Sequence, residues 1–158
     1  MSFTHLDDAG HARMVDVTQK QPTVRSATAR GFVRCSAEVV AALRDRTVPK
    51  GDVLAVARIA GIQAAKRTPE LLPLAHVIGV HGVGVDLFLD DDGVSIEATV
   101  HTADRTGVEM EALTAVSVAA LAIVDMVKGI DKATSIENVR IVAKSGGRSG
   151  DWRRPGED

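Results

Sequence analysis

Glu111, Asp125 and Lys128 share one stripe of an otherwise apolar run, RTGVEMEALTAVSVAALAIVDMVK, at residues 105–128. Val108, Leu113, Val116, Ala120, Ile123, Val124 and Val127 recur there at helical spacing and predict one long helix. Charged groups on such a helix need partners wherever they are buried. Asp125 and Lys128 are neighbours on one face. They form either a solvated ion pair or an acid–base pair. From Glu111 to Asp125 a straight helix advances roughly 21 Å, at about 1.5 Å per residue. One chain therefore cannot bring all three to one small molecule. An antiparallel copy related by a two-fold axis would set Glu111 of one subunit near Asp125 and Lys128 of another.

Other groups with chemistry lie in turns. Lys50-Gly51-Asp52 sets a cation beside a flexible backbone that a ligand can approach closely. His76 follows Pro73 in the loop Leu74-Ala75-His76, and an imidazole exchanges protons near neutral pH. Lys144-Ser-Gly-Gly-Arg-Ser-Gly-Asp151 is basic and Gly-rich after a strand, a pattern that suits an anion nest or a frayed tail. It is not a Walker A loop, because no Gly-Lys-Ser/Thr opens a helix. The histidines have no metal-ligand spacing, and there is no HExxH and no Cys pair. Together these residues suit an anionic, phosphorylated small molecule undergoing acid–base chemistry.

The elements that must position them follow from pattern. Residues 23–34 alternate loosely as a strand, Ser36 caps a helix over 37–46, and 53–66 form an Ala-rich helix containing Gly61. Thr68-Pro69-Glu70 starts a short helical turn. Residues 80–89 and 94–104 make a hairpin with its turn at Asp92-Gly93. Thr106 caps the long helix with Glu109 in capping-box position, and 136–144 is a last strand. The order β-α-α-β-β-α-β is an α+β, ferredoxin-like split β-α-β pattern with one extra helix and an antiparallel sheet. Helices on one side leave the other sheet face open, which oligomerisation would cover. One domain over 1–158 is expected, with flexible ends at about 1–12 and 146–158. With 19 basic and 21 acidic residues and few aromatics, nothing favours nucleic acid or membrane as a partner. The apolar run Val116–Val124 is too short to span a bilayer. One cysteine, Cys35, suits a reducing, cytoplasmic compartment.

Several strings agree in order and spacing with one known family. Met14-Val-Asp-Val-Thr18, Lys50-Gly-Asp-Val, ARIAGIQAAKRT at 57–68, Leu72-Pro-Leu-Ala-His76, TGVEMEALTA at 106–115, Asp125-Met-Val-Lys128 and AKSGGRSGD at 143–151 closely resemble the cyclic pyranopterin monophosphate synthase family, molybdenum cofactor accessory protein C. The resemblance runs from about residue 5 to about 151. It implies a lyase in a homohexamer, a trimer of dimers with sites at the dimer interface. The substrate would be 3′,8-cyclo-7,8-dihydroguanosine 5′-triphosphate, and the products cyclic pyranopterin monophosphate and diphosphate. Asp125, Lys128 and Lys50 take the family's catalytic positions. Leu74, Ala75 and His76, with Met110 and Glu111, take its substrate-binding positions, and Arg25 and Lys144 join the binding set. No resident metal or cofactor is implied; Mg²⁺ would come with the triphosphate. The chain departs from the pattern at Ala75, where relatives often carry Cys, and at Val77, where a Pro is common. A non-catalytic nucleotide-binding scaffold or regulator is the alternative, although it needs the cations and not the aspartate. A metal-dependent phosphohydrolase is disfavoured, because no tight carboxylate cluster is evident.

Overall fold

The alternation over Thr23–Arg34 forms a strand, β1, and it lies in the middle of the sheet. In the computed structural model, which describes residues 4–157, β1 pairs antiparallel with β3 (Gly93–Asp104) and β4 (Ser135–Ser145). β2 (Gly82–Asp90) flanks β3, and a two-residue β5 (Trp152–Arg153) flanks β4. The order β2-β3-β1-β4-β5 is antiparallel throughout, and its first four strands make the expected ferredoxin-like arrangement. The helices are α1 (Ala37–Asp45), α2 (Val53–Lys66), α3 (Thr68–Leu71) and α4 (Glu109–Val127).

The core lies between the sheet and α4. Ala27, Ala29 and Val33 of β1 and Ile96, Ala98 and Val100 of β3 are buried with Ala112, Val116, Ala120 and Ile123 of α4. Small residues let the layers approach closely. A Cβ on Gly31 would lie 2.7 Å from Val116 Cγ1, and one on Gly61 of α2 would lie 2.9 Å from the Ala115 carbonyl oxygen. Gly61 is thus a packing requirement rather than a tolerated helix glycine. All of α4, and not only Val116–Val124, is apolar enough to cross a bilayer by length and composition, yet 50% of that window is buried inside the protein, as in a core helix. Cys35 is buried too, and burial pushes its thiol up to about 11, with Asp131 adding to the effect.

Four local expectations differ. The capping box at Thr106 does not form: α4 starts after Val108, with no side-chain cap. Asp104 takes over the preceding turn, accepting hydrogen bonds from Gly79 N at 3.0 Å and Arg105 N at 2.7 Å. Both Glu109 and Glu111 lie in the first turn, and Glu109 supplies charge that suits the helix dipole. The hairpin turn is Asp91-Asp92, and Gly93 already belongs to β3. Its φ of 153° and its closeness to the Val33 carbonyl oxygen, which any Cβ would strike, are why glycine stands there. The C-terminal stretch expected to be loose folds back as β5, because Lys144 and Ala143 offer it an open strand edge. At the other end, residues 1–3 lie outside the described ones, and Leu6 and Ala12 close a bridged turn. Finally, the open sheet face is largely polar. Ser26 and Ser145 hydroxyls lie 2.6 Å apart, Thr28 and Thr99 hydroxyls 3.0 Å, and Arg30 donates to Glu97 at 2.6 Å.

Candidate active site

Two groups of the expected residues assemble, at opposite ends of α4. The first lies at its C-terminal end. Lys128 is the C-cap of α4, where a cation complements the dipole. Its Nζ donates to Asp125 Oδ1 at 2.7 Å. Lys50, in the turn before α2, donates its Nζ to the Asp125 carbonyl oxygen at 3.0 Å and lies 3.5 Å from Asp125 Oδ2. Two ammonium groups thus flank one carboxylate. All three side chains are more than half exposed, at 52% for Lys50, 59% for Asp125 and 57% for Lys128. The hydrogen bond from Lys128, then the charges of Lys128 and Lys50, hold the Asp125 carboxyl below the usual carboxylate range. The cluster is an exposed anion between two cations, with two positive charges to one negative, and it faces water that a ligand can displace. The i,i+3 spacing showed Asp125 beside Lys128; Lys50, so far away in sequence, had no local signal linking it to them.

The second group surrounds the N-terminal end of α4. His76 Nε2 lies 2.6 Å from the Val15 carbonyl oxygen. A carbonyl only accepts, so Nε2 carries the hydrogen in this contact. His76 lines a cleft of about 610 Å³ together with Met14–Thr18, Val77, Ile78 and Asp104–Thr106. The strap Met14–Thr18 and the pair Asp104-Arg105 are therefore site walls. Nothing in the local pattern separates that pair from an ordinary turn. Leu74 is exposed and Ala75 half-buried beside His76. Arg25, near the start of β1, donates Nη2 to the Arg105 carbonyl oxygen at 3.4 Å and Nε to Thr23 Oγ1 at 3.0 Å. The Gly-rich loop arches over Arg25: Gly146 and Gly147 adopt φ of 80° and 77°, and a Cβ on either would strike Val24 or Arg25. Lys144 Nζ donates to Ser149 Oγ at 2.5 Å. Arg25 and Lys144 thus each touch this loop, Arg25 beneath Gly147 and Lys144 at Ser149.

Met110 and Glu111 open α4 at this same end. Met110 is exposed, whereas Glu111 is only 4% exposed, with no partner for Oε2. Burial pushes its carboxyl up to about 7. Among the described residues no cluster of His, Cys, Asp and Glu has the form of a metal site.

Known proteins carry the same pattern. A family model described as "MoaC family" matches residues 14–147. The chain belongs to the MoaC family. A cyclic pyranopterin monophosphate synthase of Streptomyces griseus is 62% identical over 152 residues, covering 96% of this chain and 86% of that one. A protein of the same name from a Nocardioides species is 60% identical over 97% of this chain and 96% of its own. One from Chloroflexus aurantiacus is 57% identical, covering 97% and 95%. The MoaC match begins at Met14, the first residue of the strap against His76, and ends at Gly147 inside the Gly-rich loop, so it encloses both groups of site residues.

Proposed function

We propose that this chain is a cyclic pyranopterin monophosphate synthase, acting in molybdenum cofactor biosynthesis. It converts 3′,8-cyclo-7,8-dihydroguanosine 5′-triphosphate to cyclic pyranopterin monophosphate with release of diphosphate. The observation that carries the reading is the Lys50–Asp125–Lys128 cluster, in a chain 62% identical to a synthase of that name. The chemistry asks for proton transfers while the purine ring opens and the pterin closes. A ribose-derived hydroxyl then attacks the α-phosphorus, one P–O bond forms, the α–β anhydride breaks, and diphosphate leaves. Lys50 and Lys128 supply the ammonium charge and the transferable protons for these steps. A carboxylate held low and flanked by two cations is a weak base, so Asp125 serves as the counter-ion that fixes both lysines.

Arg25, Lys144 and the Gly-rich loop bind phosphate, and Leu74, Ala75, His76, Met110 and Glu111 bind the remainder. Because these groups lie a helix length from Asp125, each complete site takes one end of α4 from each of two chains. A homohexamer built from such dimers is part of the proposal. The support now comes from the helix layer rather than from the open sheet face: Val56, Ile59, Met110 and Leu121 stand exposed on α2 and α4. No resident cofactor is invoked, and Mg²⁺ would arrive with the triphosphate. The location proposed is the cytoplasm, where the lone buried thiol of Cys35 stays reduced. The test is incubation of purified protein with the cyclic dihydroguanosine triphosphate. Stoichiometric diphosphate and cyclic pyranopterin are expected; binding without turnover would leave a nucleotide-binding scaffold instead.

A further inference from the structure

The family match stops at Gly147, and the last strand with its continuation has no role in the reaction described so far. We propose that Glu157 is a positioning residue: it clasps the C-terminal segment to the sheet and thereby sets the Gly-rich loop and Lys144 against the phosphates of the substrate. The proposal rests on the phosphate-binding reading given above.

The clasp is built on two arginines. Arg30 and Arg140 stand directly opposite each other across β1 and β4, an arrangement that repels unless an anion intervenes. Glu157 supplies it. Its Oε1 accepts from Arg140 Nε at 2.5 Å, with Arg140 Nη2 closing on the same oxygen, and its Oε2 accepts from Arg30 Nη1 at 3.2 Å. The Glu157 side chain is only 17% exposed. Charge-assisted bonds to a shielded carboxylate are stronger than an open surface pair.

Glu157 is tied to the loop through the intervening residues. Arg154 N donates to the Val142 carbonyl oxygen at 2.8 Å and Arg154 Nε to that of Ile141 at 2.6 Å. Trp152 pairs with Lys144. Asp151 Oδ1 accepts from Gly146 N at 3.1 Å and so closes the loop on itself. The loop is therefore held at β4 on one side and at β5 on the other. A two-residue edge strand has little stability of its own, so the second anchor rests on the two bonds of Arg154 and, beyond them, on Glu157. Without Glu157 the loop keeps its glycines and its lysine, but the segment that fixes their position loses its outer tie.

The experiment uses full-length Glu157→Ala and Glu157→Gln, with Glu137→Ala as control. Glu137 pairs with Arg34 at the other end of β4, at 3.0 Å, away from the loop. KM and kcat for the cyclic triphosphate, inhibition by inorganic diphosphate, and acrylamide quenching of Trp152, the only tryptophan, are measured for each. Both Glu157 variants are expected to raise KM and the diphosphate inhibition constant about five- to tenfold, as for one lost charge-assisted hydrogen bond. They should leave kcat within about twofold and raise the quenching of Trp152 above the level set by its 42% exposure in the wild type, whereas Glu137→Ala moves none of these. Unchanged KM and diphosphate inhibition, a loss confined to kcat, or the same losses in Glu137→Ala would each overturn the proposal. If Glu157→Ala does not fold, Glu157→Gln, which keeps the shape, decides between these outcomes. If the wild-type protein turns nothing over, the reaction proposed above fails separately. The clasp is then judged on diphosphate affinity and Trp152 quenching, and unchanged values in Glu157→Gln overturn it.

Discussion

Asp125 and Glu111 are two carboxylates on one helix, pushed in opposite directions by their surroundings. Asp125 is exposed and held low by Lys128 and Lys50. Asp125→Asn keeps its shape and the main-chain oxygen that holds Lys50 but removes the negative charge between the two ammonium groups, and Lys128→Ala removes one of those groups. Each is expected to slow turnover by about 10²–10⁴-fold. Because exposed pairs contribute little to folding, melting curves of both variants should match wild type. Near-normal rates would reduce the cluster to ion pairing at a helix end. Glu111 is buried, with its carboxyl raised from 4.5 to about 7. The folded state therefore holds this proton more tightly than the unfolded chain does. That contribution is complete below about pH 4.5 and is lost as pH rises through 7. Glu111→Gln should thus be more stable than wild type at pH 8 by up to roughly 3 kcal/mol, and equal or less stable at pH 5. Urea unfolding at the two pH values reads the difference, and equal pH slopes in the two proteins would rule out uncompensated burial.

At the scale of elements, Gly61 decides how closely α2 and α4 pack. Alanine there gains about 1 kcal/mol of helix propensity. It also sets a methyl 2.9 Å from a backbone oxygen and 3.2 Å from both Ala119 Cβ and Val85 Cγ2. Backbone yields little, and overpacking costs about 1–3 kcal/mol, so Gly61→Ala should be net destabilising by about 1 kcal/mol in denaturant midpoint measurements. A gain in stability would mean that the helices slide apart at little cost. Elements with strong periodicity were legible from residues alone: β1 and α2 fall on the expected residues, and the strand order follows from the split β-α-β pattern. The ends of elements were not. Thr106 looked like a cap because capping is a local pattern, but Asp104 had already committed the turn through Gly79, a residue 25 positions earlier. β5 was illegible for a similar reason: Trp152-Arg153 is too short to show alternation, and only the free edge of β4 makes it a strand. The candidate site was legible as residue types, and its positions came from the family resemblance. Its division between the two ends of α4 was legible from helix geometry, whereas the contact of Lys50 with the Asp125 main chain depends on tertiary packing.

For the whole molecule, the proposed division of the site between chains makes a complementation prediction. Glu111→Ala and Asp125→Asn subunits, each inactive alone, are dissociated, mixed and reassembled. Every mixed dimer then holds one site with both lesions and one with neither, so up to about half its sites should recover by isologous symmetry. Exchanged dimers as inactive as their parents would place both residues in one chain's site. The length of α4 has a further consequence. Under the proposed sharing of the site, folding of one chain and assembly of its active site become separate equilibria, because the helix that completes the core also holds the two groups of residues apart. Progressive dilution should therefore lower activity per chain in proportion to protein concentration, so that the total rate becomes second order in protein, while the helical circular dichroism persists. Addition of an inactive Asp125→Asn chain to the dilute enzyme would raise that activity before any new competent chain is supplied.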